Sequence, residues 1–508
     1  DGRGAPPLRA DVGIAGDRVA HIGNLASMPA PKVLAADGCY VSPGFIDAHS
    51  HSDTYLLIEP SAPSKVFQGI TTEICGNCGA SAAPLSGVSR LPSDWQDKKY
   101  PGSWRSVADY RALLEQVRPA VNTVLLIGHN RLRSGVMGYQ GRAATRDEMD
   151  GMKRLLEQAL DEGGAGLSTG LIYSPGMFAG PDEVVELAQV AARHDKIYTS
   201  HMRSEGSRLL QSIDEVLEVG RRTGIRMEIS HLKTSGRKNW PLVDQALEKI
   251  RRARAEGLEV AADRYPYTAS CTDMDVILPS WASEGGREMI LKRLRDPSTR
   301  NAIRDEICRS RDVQYWKGVL VGSTRHPDNR RFQGQPLEQV AEALSLEPLD
   351  AFLHLIETDE LHTGGIFFGM SEENMWKILA EPWVMMGSDA SLRSLSGPLS
   401  LDHPHPRAYG SFVRFLRAAL DGKTVSLPEA VRKMTSLPAG HFRLPDRGVL
   451  AAGMMADVAV FRPETLRDAS TYEKPHQLSQ GIEHLVVNGA LTVEAGCLSG
   501  RRGGRFLA

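Results

Sequence analysis

Five stretches of the chain set a histidine, cysteine or aspartate directly after an apolar run. "GFIDAHSHSD" carries His49 and His51, "TTEICGNCGAS" Cys75 and Cys78, "YTSHMRSEG" His201, "MEISHLKTSG" His231 and "VMMGSDAS" Asp389. Imidazole, thiolate and carboxylate together are the ligand set of Zn²⁺ or a similar first-row ion. His49 and His51 are two apart, so an extended backbone projects both rings to one face. A single histidine at a strand end is more often a packed or hydrogen-bonded residue than a ligand. The metal reading rests on the address shared by all of them, which core-filling histidines have no reason to share. The C-x-x-C spacing of Cys75 and Cys78 reads as accidental. A redox pair would open a helix in a βαβ setting, and a zinc knuckle needs a second short-spaced pair, neither of which is evident. In an extended chain the two cysteines point to opposite faces, so Cys75 is expected to pack and Cys78, in a Gly-flanked loop, to ligate.

Other histidines read differently. His129 in "LLIGHNRLR" is expected to hydrogen-bond behind the ligands rather than ligate. His194 in "AARHDKIY" reads as a solvent-facing residue at a helix end. His403 and His405 lie in the Pro-broken "LDHPHPRAYG", where loop structure is the first expectation and pocket rim the second.

Positioning these residues requires strands whose ends meet at one mouth. Apolar, β-branched segments alternate with helical patterns, the signature of βα units and a parallel sheet. Expected strands are 41–48, 71–75, 122–127, 165–172, 196–200, 226–230, 258–263 and 383–388. Eight parallel strands over this length fit an α/β fold of the (β/α)8 TIM-barrel kind, whose chemistry lies at strand C-terminal ends. Alternating strands with Gly turns at both chain ends predict a small β-sandwich domain from residues 1–41 and 441–508, around a barrel over 42–440. The stretch 268–382, between strands 7 and 8, reads as an insertion and candidate lid.

Composition narrows the partners. Sixty basic against 62 acidic residues, with no long run of one sign, give no electrostatic case for nucleic acid or an anionic membrane surface. No apolar run approaches the roughly 20 residues that span a bilayer, and the N-terminal stretch has neither a basic leader nor an apolar h-region. Six scattered cysteines make no disulfide framework, so a reducing, cytoplasmic setting and a small-molecule substrate are expected.

H-x-H after strand 1, histidines after strands 5 and 6 and Asp389 after strand 8 resemble the amidohydrolase superfamily. The segments "GITTEICGNCGASAAPL", "LSTGLIYSPG", "HMRSEG", "EISHLKTSG" and "DRYPYTAS" resemble, within it, the N-acyl-D-amino-acid deacylases, or D-aminoacylases. Many superfamily members bridge two metals with a carboxylated lysine at the end of strand 4. Here that strand ends in "GLSTGLIYSPG", without lysine, and the resemblance implies Cys78 as the bridge. It further implies a tight zinc site of Cys78, His201 and His231, a weaker one of His49, His51 and Asp389, and hydrolysis of N-acyl-D-amino acids. The D preference comes from the resemblance alone. Zinc of this kind activates water and polarises an amide carbonyl, with Asp389 as the group that moves the proton to the leaving amine. Lys233, on the face of His231, is the first candidate for the substrate carboxylate, and the resemblance adds Tyr173, Arg203 and Tyr265. The alternatives are another amidohydrolase, such as a cyclic-amide hydrolase or a dipeptidase, and a non-catalytic metal-binding barrel. The missing strand-4 lysine and the G-N-C-G cysteine count against the first, and retention of Asp389 counts against the second.

Overall fold

The computed structural model describes residues 1–508 with the exception of residues 97 and 312. Among the described residues, eight parallel strands succeed one another: Phe45–Asp47, Ile70–Cys75, Asn122–Leu125 continuing as Ile127–Gly128, Gly166–Gly170, Ile197–His201, Arg226–Ile229, Val260–Arg264 and Val384–Met386. Each pairs in parallel with the next. The last is tied to the first, where Ala48 N–H donates to the Met386 carbonyl at 3.1 Å and Ser50 bridges to Ala390. This is an α/β fold of the TIM-barrel type. Its strands are buried along their whole length, as in "ITTEIC" and "VAADR", which is why they read as continuous rather than alternating runs.

Helices cover the strands through one apolar face each. In Leu209–Thr223 the buried positions Leu209, Ile213, Val216, Leu217 and Gly220 recur every three or four residues, and Gly224 closes the helix at φ 69°. Ser106 and Thr145 open their helices with capping boxes, each hydroxyl accepting from the third backbone N–H while that residue's carboxylate reaches back. No helix among the described residues is long and apolar enough to cross a membrane.

Three boundaries differ from expectation. The anticipated strand over 41–48 is two strands in different sheets. Tyr40–Pro43 pairs with Val458–Phe461 of the small sheet, while Phe45–Asp47 joins the barrel. Pro43 and Gly44 make the break, and a Cβ on Gly44 would lie 2.3 Å from Thr71. The small antiparallel sheet then continues through Ile482–Val487, Ala490–Glu494 and Cys497–Leu498. The hairpin of Asp11–Ala15 and Arg18–Gly23 packs Val19 against Leu450, Val458 and Val486. The final strand, Phe506–Leu507, leaves this sheet and pairs with Asn122–Leu125 of the barrel. It fills an edge that opens because the third barrel strand breaks at Leu126.

The insertion carries a core of its own, from Met274 to Leu361, beside a three-stranded antiparallel sheet of Ala269–Asp273, Gly364–Phe368 and Val319–Val321. Helix Glu372–Ala380, inside the expected insertion, instead packs Met375, Ile378 and Leu379 into the main core.

Candidate active site

The strand ends deliver their side chains to one place. His49, Cys78, His231 and Asp389 each offer a donor atom within 4.8 Å of the other three. Cys78 Sγ lies 3.3 Å from His49 Nε2 and 3.5 Å from His231 Nε2. Asp389 Oδ1 is 3.4 Å from His49 Nε2 and 3.2 Å from His51 Nε2. His201 Nδ1 faces His231 Nε2 at 2.9 Å, and these two form a second group with Glu205. All six residues expected to ligate thus lie in one chain of contacts. Cys75 is fully buried in the main core, its thiol pushed up by burial, while Cys78 faces the cluster.

The backbone is bent to achieve this. Cys78, His231 and Asp389 have φ of 55°, 38° and 50°, in the left-handed region that non-glycine residues avoid. Each such residue costs on the order of 1–3 kcal/mol and persists where its surroundings over-determine it. The Cys78 loop is also wedged close to its neighbours, since a Cβ on Gly76 would lie 2.1 Å from the Leu126 carbonyl. Asp53 pins the same loop by accepting from the N–H groups of Gly76 at 3.2 Å and Ala82 at 3.1 Å. Burial pushes its carboxyl up to about 6.

Behind the cluster stands a layer of carboxylates and cations. Asp263 Oδ2 meets His49 Nδ1 at 3.0 Å, and Glu205 Oε1 meets His231 Nδ1 at 2.8 Å. Such partners fix ring orientation and leave the opposite nitrogen facing the centre. Asp389 Oδ2 accepts from Arg407 at 2.7 Å. Burial works against the Asp389 charge, yet Arg407, His231 and His49 hold its carboxyl well below the usual range. The Cys78 thiol is likewise opposed by burial and still drawn well down by His49 and His231. Burial disfavours charge on His51, but Asp389 and Cys78 bring it up to about 9. His201, with a buried and unpartnered Nε2, is pulled down by burial and by His231. Imidazole, thiolate and carboxylate donors converging in this way, with their far atoms already held, fit a first-row metal ion.

One further group joins the strand ends. Lys65, fully buried in "PSKV", donates to Asp47 Oδ2 at 3.0 Å, Ser388 Oγ at 3.1 Å and the Ala390 carbonyl at 3.0 Å, and pairs with Glu73 Oε1 at 2.9 Å. Asp47 Oδ1 in turn accepts from the N–H of Ser388 at 2.7 Å and, at 3.3 Å, from that of His49. One ammonium therefore staples the turn bearing His49 and His51 to the turn bearing Asp389.

A cavity of about 1740 Å³ opens above the cluster, lined by His51, Cys78, His201, His231 and Asp389 and, from the insertion, by Thr272, Asp273 and Phe367. Tyr173 and Lys233 line it as well. Tyr173 donates or accepts at 3.1 Å with Thr272 Oγ1, and its ring centroid is 5.0 Å from that of His201. Lys233 Nζ lies 2.5 Å from Glu205 and 2.7 Å from His231 Nδ1. The other two expected substrate residues are engaged by protein groups. Arg203 reaches the wall, but its guanidinium donates to the carbonyls of Met177 and Ala179 and pairs with Glu215. Tyr265 is fully buried away from the cavity lining, its ring 4.2 Å from the Arg264 guanidinium and 4.6 Å from that of Arg407.

The remaining histidines divide similarly. His129 bonds Glu183 at 2.8 Å beneath helix Pro181–Arg193, and His194 caps that helix near Asp161. His403 and His405 are held by the carbonyls of Tyr472 and Ala269, yet both line the cavity. Sequence reading passed over Asp263, Glu205, Arg407 and Lys65. Asp263 stands at the mouth of the seventh strand, where the strand-end rule applies, and Glu205 lies four residues after His201. Arg407 and Lys65 leave no such signal, because their partners are distant in the chain.

A model of the amidohydrolase family matches residues 32–303 and 377–493, passing over most of the insertion. The chain is 38% identical over 490 residues to the N-acyl-D-glutamate deacylase of Alcaligenes xylosoxydans xylosoxydans, covering 96% of this chain and 91% of that protein. It is 34% identical to the D-aminoacylase of the same organism, over 100% and 95% respectively. The crystal structure of N-acyl-D-glutamate deacylase from Bordetella bronchiseptica, complexed with zinc and a phosphonate mimic of the tetrahedral intermediate, superposes with a TM-score of 0.85 at 34% identity. That match covers 100% of this chain and 97% of the other.

Proposed function

Because the chain belongs to the amidohydrolase family, and within it to the N-acyl-D-amino-acid deacylases, we propose that it is a zinc enzyme that hydrolyses the amide bond of N-acyl-D-amino acids. The products are a carboxylate and a free D-amino acid. The observation that carries this reading is the approach of the Cys78 thiol to ring nitrogens of both His49 and His231, beside Asp389. A cysteine in that position supports a bridging role and sets this centre apart from one bridged by a strand-4 lysine. We assign Cys78, His201 and His231 to a tight site and His49, His51 and Asp389 to a weaker one.

Zinc supplies activated water at neutral pH and polarises the amide carbonyl. The chain supplies the rest. Asp389, kept charged by Arg407, accepts the proton of the attacking water and delivers it to the leaving nitrogen. Asp263 and Glu205 hold the rings of His49 and His231 in register. Tyr173, Lys233 and Arg203 line the cavity where the substrate carboxylate is held, and Tyr265 packs outside that lining against Arg407. We read the architecture as a (β/α)8 barrel with a small β domain built from both chain ends, the insertion between the seventh and eighth strands, up to helix Glu372–Ala380, serving as a lid over the cavity.

A panel of N-acetyl-D- and N-acetyl-L-amino acids on zinc-loaded wild type and Asp389→Asn tests this. Turnover of D substrates alone is expected, with kcat of Asp389→Asn lower by about 10²–10⁴ and zinc retained. Turnover of L substrates alone, or none with zinc bound, would overturn it.

A further inference from the structure

At the opposite end of the barrel from the candidate centre lies a second cavity, of about 510 Å³. It is bounded by the starts of the sixth and eighth strands. Arg226 is the first residue of Arg226–Ile229, and Trp383 immediately precedes Val384–Met386. Arg254, from helix Val243–Ala255, and Arg432, His441 and Arg443, from the C-terminal helices and the turn after them, complete the wall, with Glu259 as its acidic residue.

The charges here do not balance. Arg432 is paired with Glu429 and Arg443 with Asp195. Among the described residues neither Arg226 nor Arg254 forms a close ion pair, and Glu259 on the same wall offsets the charge of Arg226 only in part. Arg226 is 7% exposed and donates to the carbonyls of His441 and Asp195, each at 2.9 Å, and Arg254 donates to that of Val260. Burial pulls both guanidiniums down, and Lys196 beside them is lowered by burial and by Arg226. Arg226 is the buried one of the two, and a buried cation whose charge is only partly offset is a costly arrangement in a protein interior.

Two nitrogens here also lack partners. Trp383 is 4% exposed and its indole N–H has no acceptor, and His441 Nε2 is buried without one. A buried donor left without an acceptor is destabilising until something supplies one. Guanidiniums in excess of the carboxylates around them, beside an orphaned N–H and a volume several times that of a water molecule, suit an oxyanion. We propose that this cavity is a binding site for a small oxyanion, the phosphate or carboxylate group of a metabolite, held by Arg226, Arg254 and Trp383. The site is separate from the catalytic centre. The two strands that begin here are those leading to His231 and Asp389, so an anion binding only the folded form stabilises the strands that carry the chemistry.

The test is calorimetric titration of the zinc-loaded full chain with inorganic phosphate, and separately with succinate, at constant ionic strength. Inhibition of hydrolysis by the same anions is measured in parallel, because an anion at the metal centre would bind too. Arg254 is exposed, so Arg254→Gln should fold; Trp383→Phe removes ring volume from the core as well as the N–H, and Arg226→Met a buried cation, so the folding of both is checked by circular dichroism before titration. Expected is one anion whose binding weakens about tenfold in each variant, with inhibition constants within twofold of wild type. The preferred anion identifies the source of the group. The proposal is overturned if neither anion binds wild type, if affinity is unchanged in all three variants, or if binding and inhibition change together. The binding readout stands whichever substrate the enzyme prefers.

Discussion

Lys65→Met removes a single buried ammonium and leaves everything it holds in place to respond. Lys65, Asp47 and Glu73 are all fully buried. At about 3 Å and an effective dielectric near 20, each of the two ion contacts is worth about 5 kcal/mol of Coulomb attraction, much of it offset by the desolvation that methionine does not require. Breaking a buried pair by deleting one partner typically costs about 3–5 kcal/mol, because the other charges stay buried and uncompensated. The loss should also reach the chemistry. With Lys65 gone, Asp47 and Glu73 repel, and the Asp47 bonds to the N–H groups of Ser388 and His49 loosen. Misplacement of catalytic groups by about 1 Å costs on the order of 10² in rate. Unfolding in urea, zinc content, and kcat and KM measured separately are the assays. The expected outcome is a stability loss of about 3 kcal/mol or more, and kcat falling at least about tenfold more than KM rises. Adding Glu73→Gln to Lys65→Met should recover about 1 kcal/mol or more, since it removes one uncompensated charge. A Lys65→Met enzyme within about 1 kcal/mol of wild type and within twofold in kcat would refute the reasoning.

Three other outcomes are expected. Cys78→Ala should lose tightly bound zinc while Cys75→Ala keeps it, as read by elemental analysis after dialysis; equal losses would show that the two cysteines are not divided between chemistry and packing. Stripping metal with a chelator should lower the unfolding temperature in scanning calorimetry and zinc should restore it, because an ion bound only by the folded state adds its binding free energy to stability. Lys433 is fully buried, its ammonium pulled down by burial to about 7 from 10.5 and held by the carbonyls of Glu381 and Val384. A depressed folded value means stability present above pH 10.5 and lost as pH falls through 7, so wild type should gain on Lys433→Met by up to about 4 kcal/mol between pH 7 and 10. Parallel pH profiles for the two proteins would count against it.

The candidate ligands were legible because each stands where an apolar strand ends, and in a barrel that address faces the mouth where they converge. His201 is the last residue of its strand, and His49, His231 and Asp389 follow theirs by two or three. Sheet membership was not legible at Pro43 and Gly44, since "YVSP" and "FID" read alike whichever sheet receives them. Nor was the return of Phe506 and Leu507 to the barrel, which depends on an edge created by a break at Leu126, far away in the chain. The partners of Arg203 and Tyr265, namely Glu215 and the guanidiniums of Arg264 and Arg407, were not legible, because they are set by packing that spacing does not encode.

The left-handed turns at Cys78, His231 and Asp389 have an evolutionary consequence. At these three positions glycine is the residue the backbone prefers and the one that can do no chemistry. Selection for folding alone would therefore push all three toward glycine, and only selection for turnover opposes it. A population of this gene propagated without demand for its activity should lose function at these turns early, and the variants that arise there should be harder to unfold in the metal-free state than their alanine counterparts.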